Sequence, residues 1–167
     1  SYKGNSIGKS IYEKNCYNLI KEIFDSSKSR LCKITYPKDV LVGKNMDDNA
    51  TIKDLKDIKN DDLILDVGPK TLKKIQSIIE NSRTVLWNGP AGYFENPNFA
   101  KGSFEIAKTI IKKNKSNSIY SVVGGGDTVA VINQLNAIED FNFVSTAGGA
   151  FLEYLEGKEL PGIKALS

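Results

Sequence analysis

Gly124-Gly125-Gly126-Asp127-Thr128 is the stretch with the most evident capacity for chemistry. Three glycines let a backbone approach a phosphate closely, and the helix that follows offers free N–H groups and a partial positive charge. Asp127, at that helix start, is suited to hold a Mg²⁺ bridging two phosphate oxygens, and Thr128 to add a hydroxyl to the phosphate or to the metal's shell. The plainer reading is equally open: Asp127 caps a helix and the glycines make a tight turn. A second stretch, Asp66-Val67-Gly68-Pro69-Lys70-Thr71, repeats the arrangement, with Pro69 in the first turn of a helix. Lys70 is a candidate anion contact there, or simply a solvated lysine. A third, Asn88-Gly89-Pro90-Ala91-Gly92-Tyr93-Phe94-Glu95, is stiffened by two glycines and a proline, and Glu95 then offers a carboxylate of the kind that binds ribose hydroxyls. Taken singly, a surface carboxylate is the better reading of Glu95.

Several chemistries are excluded. Histidine is absent, which removes a His-based triad and a His-ligated metal. Gly4-Asn5-Ser6-Ile7-Gly8-Lys9-Ser10 imitates an NTPase phosphate loop, but its glycines are one residue too close and no strand precedes it; Lys9 reads as a helix-start residue. No Gly-x-Gly-x-x-Gly lies in a strand–helix unit, which disfavours a dinucleotide oxidoreductase, and no Gly-x-Ser-x-Gly supports an acyl hydrolase. The net charge of +3 is too small, and its lysines too scattered, to argue for nucleic acid. Lys112, Lys113 and Lys115 read as a solvated helix end. Cys16 and Cys32 make no disulfide framework and read as partly buried thiols of a reducing cytosol. No apolar run approaches 18 residues, so no membrane partner is expected.

These loops need a scaffold that gathers them. An amphipathic helix is predicted over Ser10–Ser29, with Cys16, Leu19, Ile20, Ile23 and Phe24 on one face and Ser10 and Glu13 as a capping box. A strand over Leu31–Tyr36 follows, with Val40–Val42 a second short candidate and residues 43–62 a surface excursion. Beyond residue 62 the pattern is regular. Strands at Leu63–Leu65, Thr84–Trp87, Ser118–Val123 and Phe143–Thr146 alternate with helices over Lys70–Asn81, Phe99–Lys113, a segment after Thr128, and a last one through Leu155. Such alternation predicts an α/β fold, a parallel sheet with helices on both faces. Each strand runs into a Gly-rich turn, so the turns collect at the carboxyl edge, where open α/β sheets bind ligands. Three such loops with carboxylates for a metal and a sugar fit a mononucleotide with Mg²⁺ best.

The motifs Leu65–Thr71, Trp87–Glu95, Gly124–Thr128 and Leu155–Gly162, in this order, resemble those of phosphoglycerate kinases over essentially the whole chain. The resemblance implies a six-stranded, Rossmann-like parallel sheet, with residues 1–167 forming an incomplete C-terminal nucleotide-binding domain and the N-terminal phosphoglycerate-binding domain absent. It implies phosphoryl transfer between 1,3-bisphosphoglycerate and ADP, giving ATP and 3-phosphoglycerate in glycolysis, by a cytoplasmic monomer. ADP or ATP with Mg²⁺ would bind here, and 3-phosphoglycerate or 1,3-bisphosphoglycerate only through the missing domain, so the chain alone is expected to be inactive. The alternative is a non-catalytic nucleotide-binding module of the same fold.

By the same resemblance Asp127 is the Mg²⁺ ligand, Thr128 a phosphate contact and Glu95 the ribose ligand. Leu65, Gly92 and Tyr93 line the adenine pocket, Asn88 approaches the triphosphate, and Gly124, Gly125 and Gly126 form the phosphate loop. Gly148 and Gly149 face the transferred phosphoryl group. The sequence departs from the family pattern at Ile64, where glycine is usual beside adenine, and at Tyr36 and Tyr93, where leucine and valine are usual. Ala147 replaces the first of three glycines, and Phe151 a small serine.

Overall fold

A computed structural model describes residues 2–166; the outermost residues of the expected domain, 1 and 167, lie outside the described residues. The parallel sheet is β4-β5-β6, formed by β4 (Thr84–Asn88), β5 (Tyr120–Gly124) and β6 (Phe143–Val144). Its crossovers are α3 (Lys101–Lys115) and α4 (Gly126–Gln134). Ile106, Ala107 and Ile110 recur at helical spacing on α3 and are buried, as are Val131 and Ile132 on α4. With Trp87 and Val123 from the sheet, and Leu72 and Ile79 from α2 (Pro69–Glu80), they make one core.

The remaining strands form a separate sheet, β2-β1-β3, from β1 (Asp39–Gly43), β2 (Thr51–Asp54) and β3 (Leu63–Val67). Val40, Val42 and Ile58 form a second, smaller core beneath it. The strand at Leu63–Leu65 therefore does not extend the parallel sheet: β3 pairs antiparallel with β1, whose two edges are taken by β2 and β3. The expected α/β fold, a parallel sheet flanked by helices, is borne out, with three parallel strands among the described residues where the resemblance implies six for the complete domain. The surface excursion over residues 43–62 contains β2. Near-continuous apolar runs do not reveal strand direction, which explains the error.

The N-terminal part differs most from expectation. The first helix, α1, spans Tyr17–Ser29 and buries none of its residues. Ser10 is not its cap: the Ser10 hydroxyl accepts a hydrogen bond from Ile64 N at 2.8 Å, and Lys9 N donates to Asp62 O at 2.9 Å, so both residues tie the leading segment to β3 and its approach. Residues 31–36 form no strand, and Cys32 is exposed rather than partly buried. β6 stops at Val144, two residues short of the expected end. Two short helices close the chain, α5 (Gly149–Leu155) and α6 (Pro161–Lys164). Among the described residues no helix is long and apolar enough to cross a membrane.

Candidate functional site

The pairing of β1 with β3 slips by one residue: Leu41 faces Asp66, while Val42 faces Ile64. Leu65 is the extra residue of a β-bulge, and bulges of this kind re-aim a residue away from the ladder. Its carbonyl accepts Tyr93 N at 2.7 Å, drawing the loop after β4 against β3. A cleft of about 270 Å³ opens between them, lined by Val40, Ile64, Leu65, Asp66, Pro90, Gly92 and Tyr93 among others. That volume lies just below the usual range of small-ligand sites, so the cleft could enclose only part of a ligand. Leu65, Gly92 and Tyr93 thus line one cleft, and Ile64 stands in the same wall.

The other end of this loop meets the triple glycine. Gly89 N donates to the Thr128 hydroxyl at 2.7 Å, and Trp87 Nε1 donates to Gly89 O at 2.9 Å. Thr128 is fully buried, so its hydroxyl clamps two loops together and does not face solvent. Gly125 has φ +86°, a conformation that favours glycine, and a Cβ there would lie 2.7 Å from Asn88 Oδ1. Asn88, Gly124 and Gly125 are therefore neighbours. Gly126 and Asp127 open α4 and are exposed, and a Cβ at Gly126 would meet nothing. The leading N–H groups of such a helix have no intrahelical acceptor. The side chains of Asp127 and Glu95 are exposed and carry neither hydrogen bond nor ion pair among the described residues.

Gly148 and Gly149 lie at the start of α5, exposed, with open space around both. Phe151, two residues on, connects them to the triple-glycine loop: a Cβ on Gly124 would come within 2.5 Å of the Phe151 ring. Lys70, by contrast, is turned elsewhere, its Nζ 2.7 Å from Asp54 Oδ1.

Two buried aspartates, Asp66 and Asp39, organise the backbone around the cleft. Asp66 is 2% exposed; its Oδ1 accepts Val67 N at 2.8 Å and its Oδ2 accepts Gly102 N at 2.7 Å. Burial pushes its carboxyl above the ordinary value, against the pull of the two N–H donors. Asp39 is fully buried and accepts from Lys70 N at 2.9 Å and Thr71 N at 2.7 Å, capping α2 from across the sheet. Burial would raise its carboxyl too, but the donors of Lys70 and Thr71 hold it below the ordinary value. Asp66 stands inside a motif the sequence already marked; Ser103, whose hydroxyl accepts from Ala91 N at 3.0 Å, carries no sequence signal at all.

A magnesium ion fits this arrangement in one respect that matters. Mg²⁺ is commonly held by one or two carboxylates plus substrate phosphates rather than by an all-protein cage. Asp127 supplies one unengaged carboxylate at a helix N-terminus, and no group of three or more acidic, Cys or His side chains suited to a metal occurs among the described residues.

The family model described as phosphoglycerate kinase matches residues 1–158. The phosphoglycerate kinase of Zymomonas mobilis subsp. mobilis is 45% identical over 166 residues, covering 98% of this chain and 42% of that protein. The phosphoglycerate kinase of Caulobacter vibrioides is 42% identical over the same length and coverage. Among solved structures, phosphoglycerate kinase from Coxiella burnetii superposes with a TM-score of 0.90 at 36% identity, over 99% of this chain and 42% of its own. That from Pyrococcus horikoshii superposes with a TM-score of 0.70 at 30% identity, over 99% and 41%. The chain thus spans about 42% of the length of the relatives it matches. Agreement of this extent in both sequence and backbone makes the chain a member of the phosphoglycerate kinase family.

Proposed function

We propose that this chain supplies the MgADP/MgATP site for phosphoryl transfer between 1,3-bisphosphoglycerate and ADP, the reaction that yields ATP and 3-phosphoglycerate. The observation that carries the reading is a single loop, residues 88–93, anchored at one end on Thr128 and at the other on Leu65. It joins a cleft of base-like size to a glycine-rich helix start, the two parts a mononucleotide requires.

In this reading the base lies against Leu65, Gly92 and Tyr93, and Glu95 accepts from the ribose hydroxyls. The N–H groups of Gly125 and Gly126 receive the phosphates, with the Asn88 amide beside them, while the buried Gly124 and Thr128 shape the loop from beneath. Gly148 and Gly149 offer N–H groups to the transferred phosphoryl group, where donors fixed in advance stabilise developing charge. Asp127 would hold Mg²⁺, which when bound neutralises charge on the phosphate oxygens. Such transfer depends on positioning and charge neutralisation, with little covalent work for side chains. Phosphoglycerate would be bound by another part of the whole protein, and the chain alone is expected not to turn over.

One observation favours a second reading, a non-catalytic nucleotide-binding module: the Phe151 ring rests on Gly124, beside the phosphate end of the site. Calorimetric titration with MgADP tests the first reading. The unaltered chain is expected to bind, and Asp127→Ala to weaken binding by about tenfold, roughly 1.4 kcal/mol. Absence of binding by the unaltered chain, or equal binding by both, would overturn the assigned site.

A further inference from the structure

Asp66 is a buried carboxylate with no part in the chemistry above, and no cation pairs with it among the described residues. A residue whose only task was to satisfy one helix end would need a single acceptor, whereas both oxygens of Asp66 are used, one toward β3 and one toward the first turn of α3. Those two elements also hold the Pro90–Tyr93 turn. From β3, Leu65 O takes Tyr93 N at 2.7 Å. From α3, the Ser103 hydroxyl takes Ala91 N at 3.0 Å and Gly92 N at 3.4 Å. The turn itself rests on the carboxylate: a Cβ on Gly92 would lie 2.5 Å from Asp66 Cγ and 2.6 Å from Leu65 O. Gly102 approaches Asp66 as closely from the helix side.

We propose that Asp66 is a positioning residue: its carboxylate fixes β3 and the N-terminus of α3 at the spacing that shapes the Pro90–Tyr93 turn into a wall of the cleft. That the wall serves a nucleotide rests on the function proposed above; that Asp66 sets its shape does not. Asp66→Asn keeps the volume but presents an NH₂ group to one of the two N–H donors, so one of the bonds must break.

The test is amide hydrogen exchange of the ligand-free chain, read beside the emission of Trp87, the one tryptophan, whose indole N–H is bonded to Gly89 O at the start of the turn. In Asp66→Asn, exchange at Ala91, Gly92 and Tyr93 is expected to quicken by about tenfold or more relative to Val122 and Val123 of β5, with a shift in Trp87 emission. MgADP affinity should fall by a similar factor. Exchange that is unchanged at the turn, or faster everywhere by one common factor, would overturn the proposal. If Asp66→Asn does not fold, Gly92→Ala reaches the same contact from the other side and is expected to loosen Ala91 and Tyr93 selectively; native exchange at both would equally overturn it. Should the unaltered chain bind no MgADP, the nucleotide reading fails, while the exchange comparison still decides the role of Asp66.

Discussion

Gly124 and Phe151 form a pair in which one residue's lack of a side chain makes room for the other's ring. A methyl group at 124 would meet that ring at 2.5 Å, closer than carbon atoms tolerate, so α5 must shift or the triple-glycine loop must give way. Overpacking of this kind costs about 1–3 kcal/mol. Gly124→Ala is therefore expected to lower the thermal midpoint, and Gly124→Ala with Phe151→Ser to recover most of the loss. Failure of the second change to restore stability would show that the ring is not what confines Gly124. Phe151→Ser alone should leave the core intact, because α5 has no buried residue. Neither the sequence pattern nor the resemblance revealed this contact. Phe151 was legible as a departure from the family, but its neighbour in space is 27 positions away and no local rule joins them.

Among the secondary-structure elements, both α2 and α3 receive their N-terminal acceptor from a strand and not from the residue before the helix. Asp39 on β1 serves α2 and Asp66 on β3 serves α3. Asp39→Asn replaces one acceptor oxygen by a donor facing Lys70 N or Thr71 N, and is expected to cost about 1–2 kcal/mol in a urea titration. A cost near zero would mean that Pro69 at the first helical position suffices. This arrangement also explains what was readable beforehand. Helices α2 and α3, strands β4 and β5 and the start of α4 were legible within a few residues, because their apolar periodicity is local and Gly or Pro lies near their ends. The direction of β3, the shortness of α1 and the loss of the 31–36 strand were not, since each depends on which partner lies alongside. The same division holds in the site. Glycines and carboxylates at strand ends could be read directly, whereas the buried hydroxyls of Thr128 and Ser103 serve backbone groups far away in sequence.

For the molecule as a whole, buried carboxylates decide how stability responds to acid. Asp62 is 1% exposed and takes Lys44 Nζ at 2.8 Å, Lys53 Nζ at 2.7 Å and Lys59 N at 2.7 Å. Burial opposes ionisation there, but the two lysines and the Lys59 N–H together hold its carboxyl far below the ordinary value. A carboxyl depressed in the fold contributes stability that is present above its unfolded value, about 4, and lost as pH falls through the folded value. Asp39 acts in the same direction. Asp66, raised by burial, acts oppositely: its contribution is full below the unfolded value and is lost as pH rises through the folded one. With the largest depression at Asp62, the sum should favour neutral over acid pH. The urea midpoint is expected to decline from about pH 4 downward, and Asp62→Asn to flatten that decline while costing on the order of 2 kcal/mol at pH 7. A midpoint in the unaltered chain that holds steady to pH 2 would contradict this.

The two separate cores carry a consequence for thermodynamic coupling. One side of the cleft belongs to the sheet over the smaller core, through Val40, Ile64 and Leu65, and the other to the loop that leaves the larger one. A small core with three buried members can open locally while the larger one stays closed. A ligand seated between them binds only when both are closed, so mass action adds to the stability of each by an amount set by its concentration over its dissociation constant. Ligand should then slow amide exchange over both cores at once, at Val40 and Val42 as well as at Val131 and Ile132.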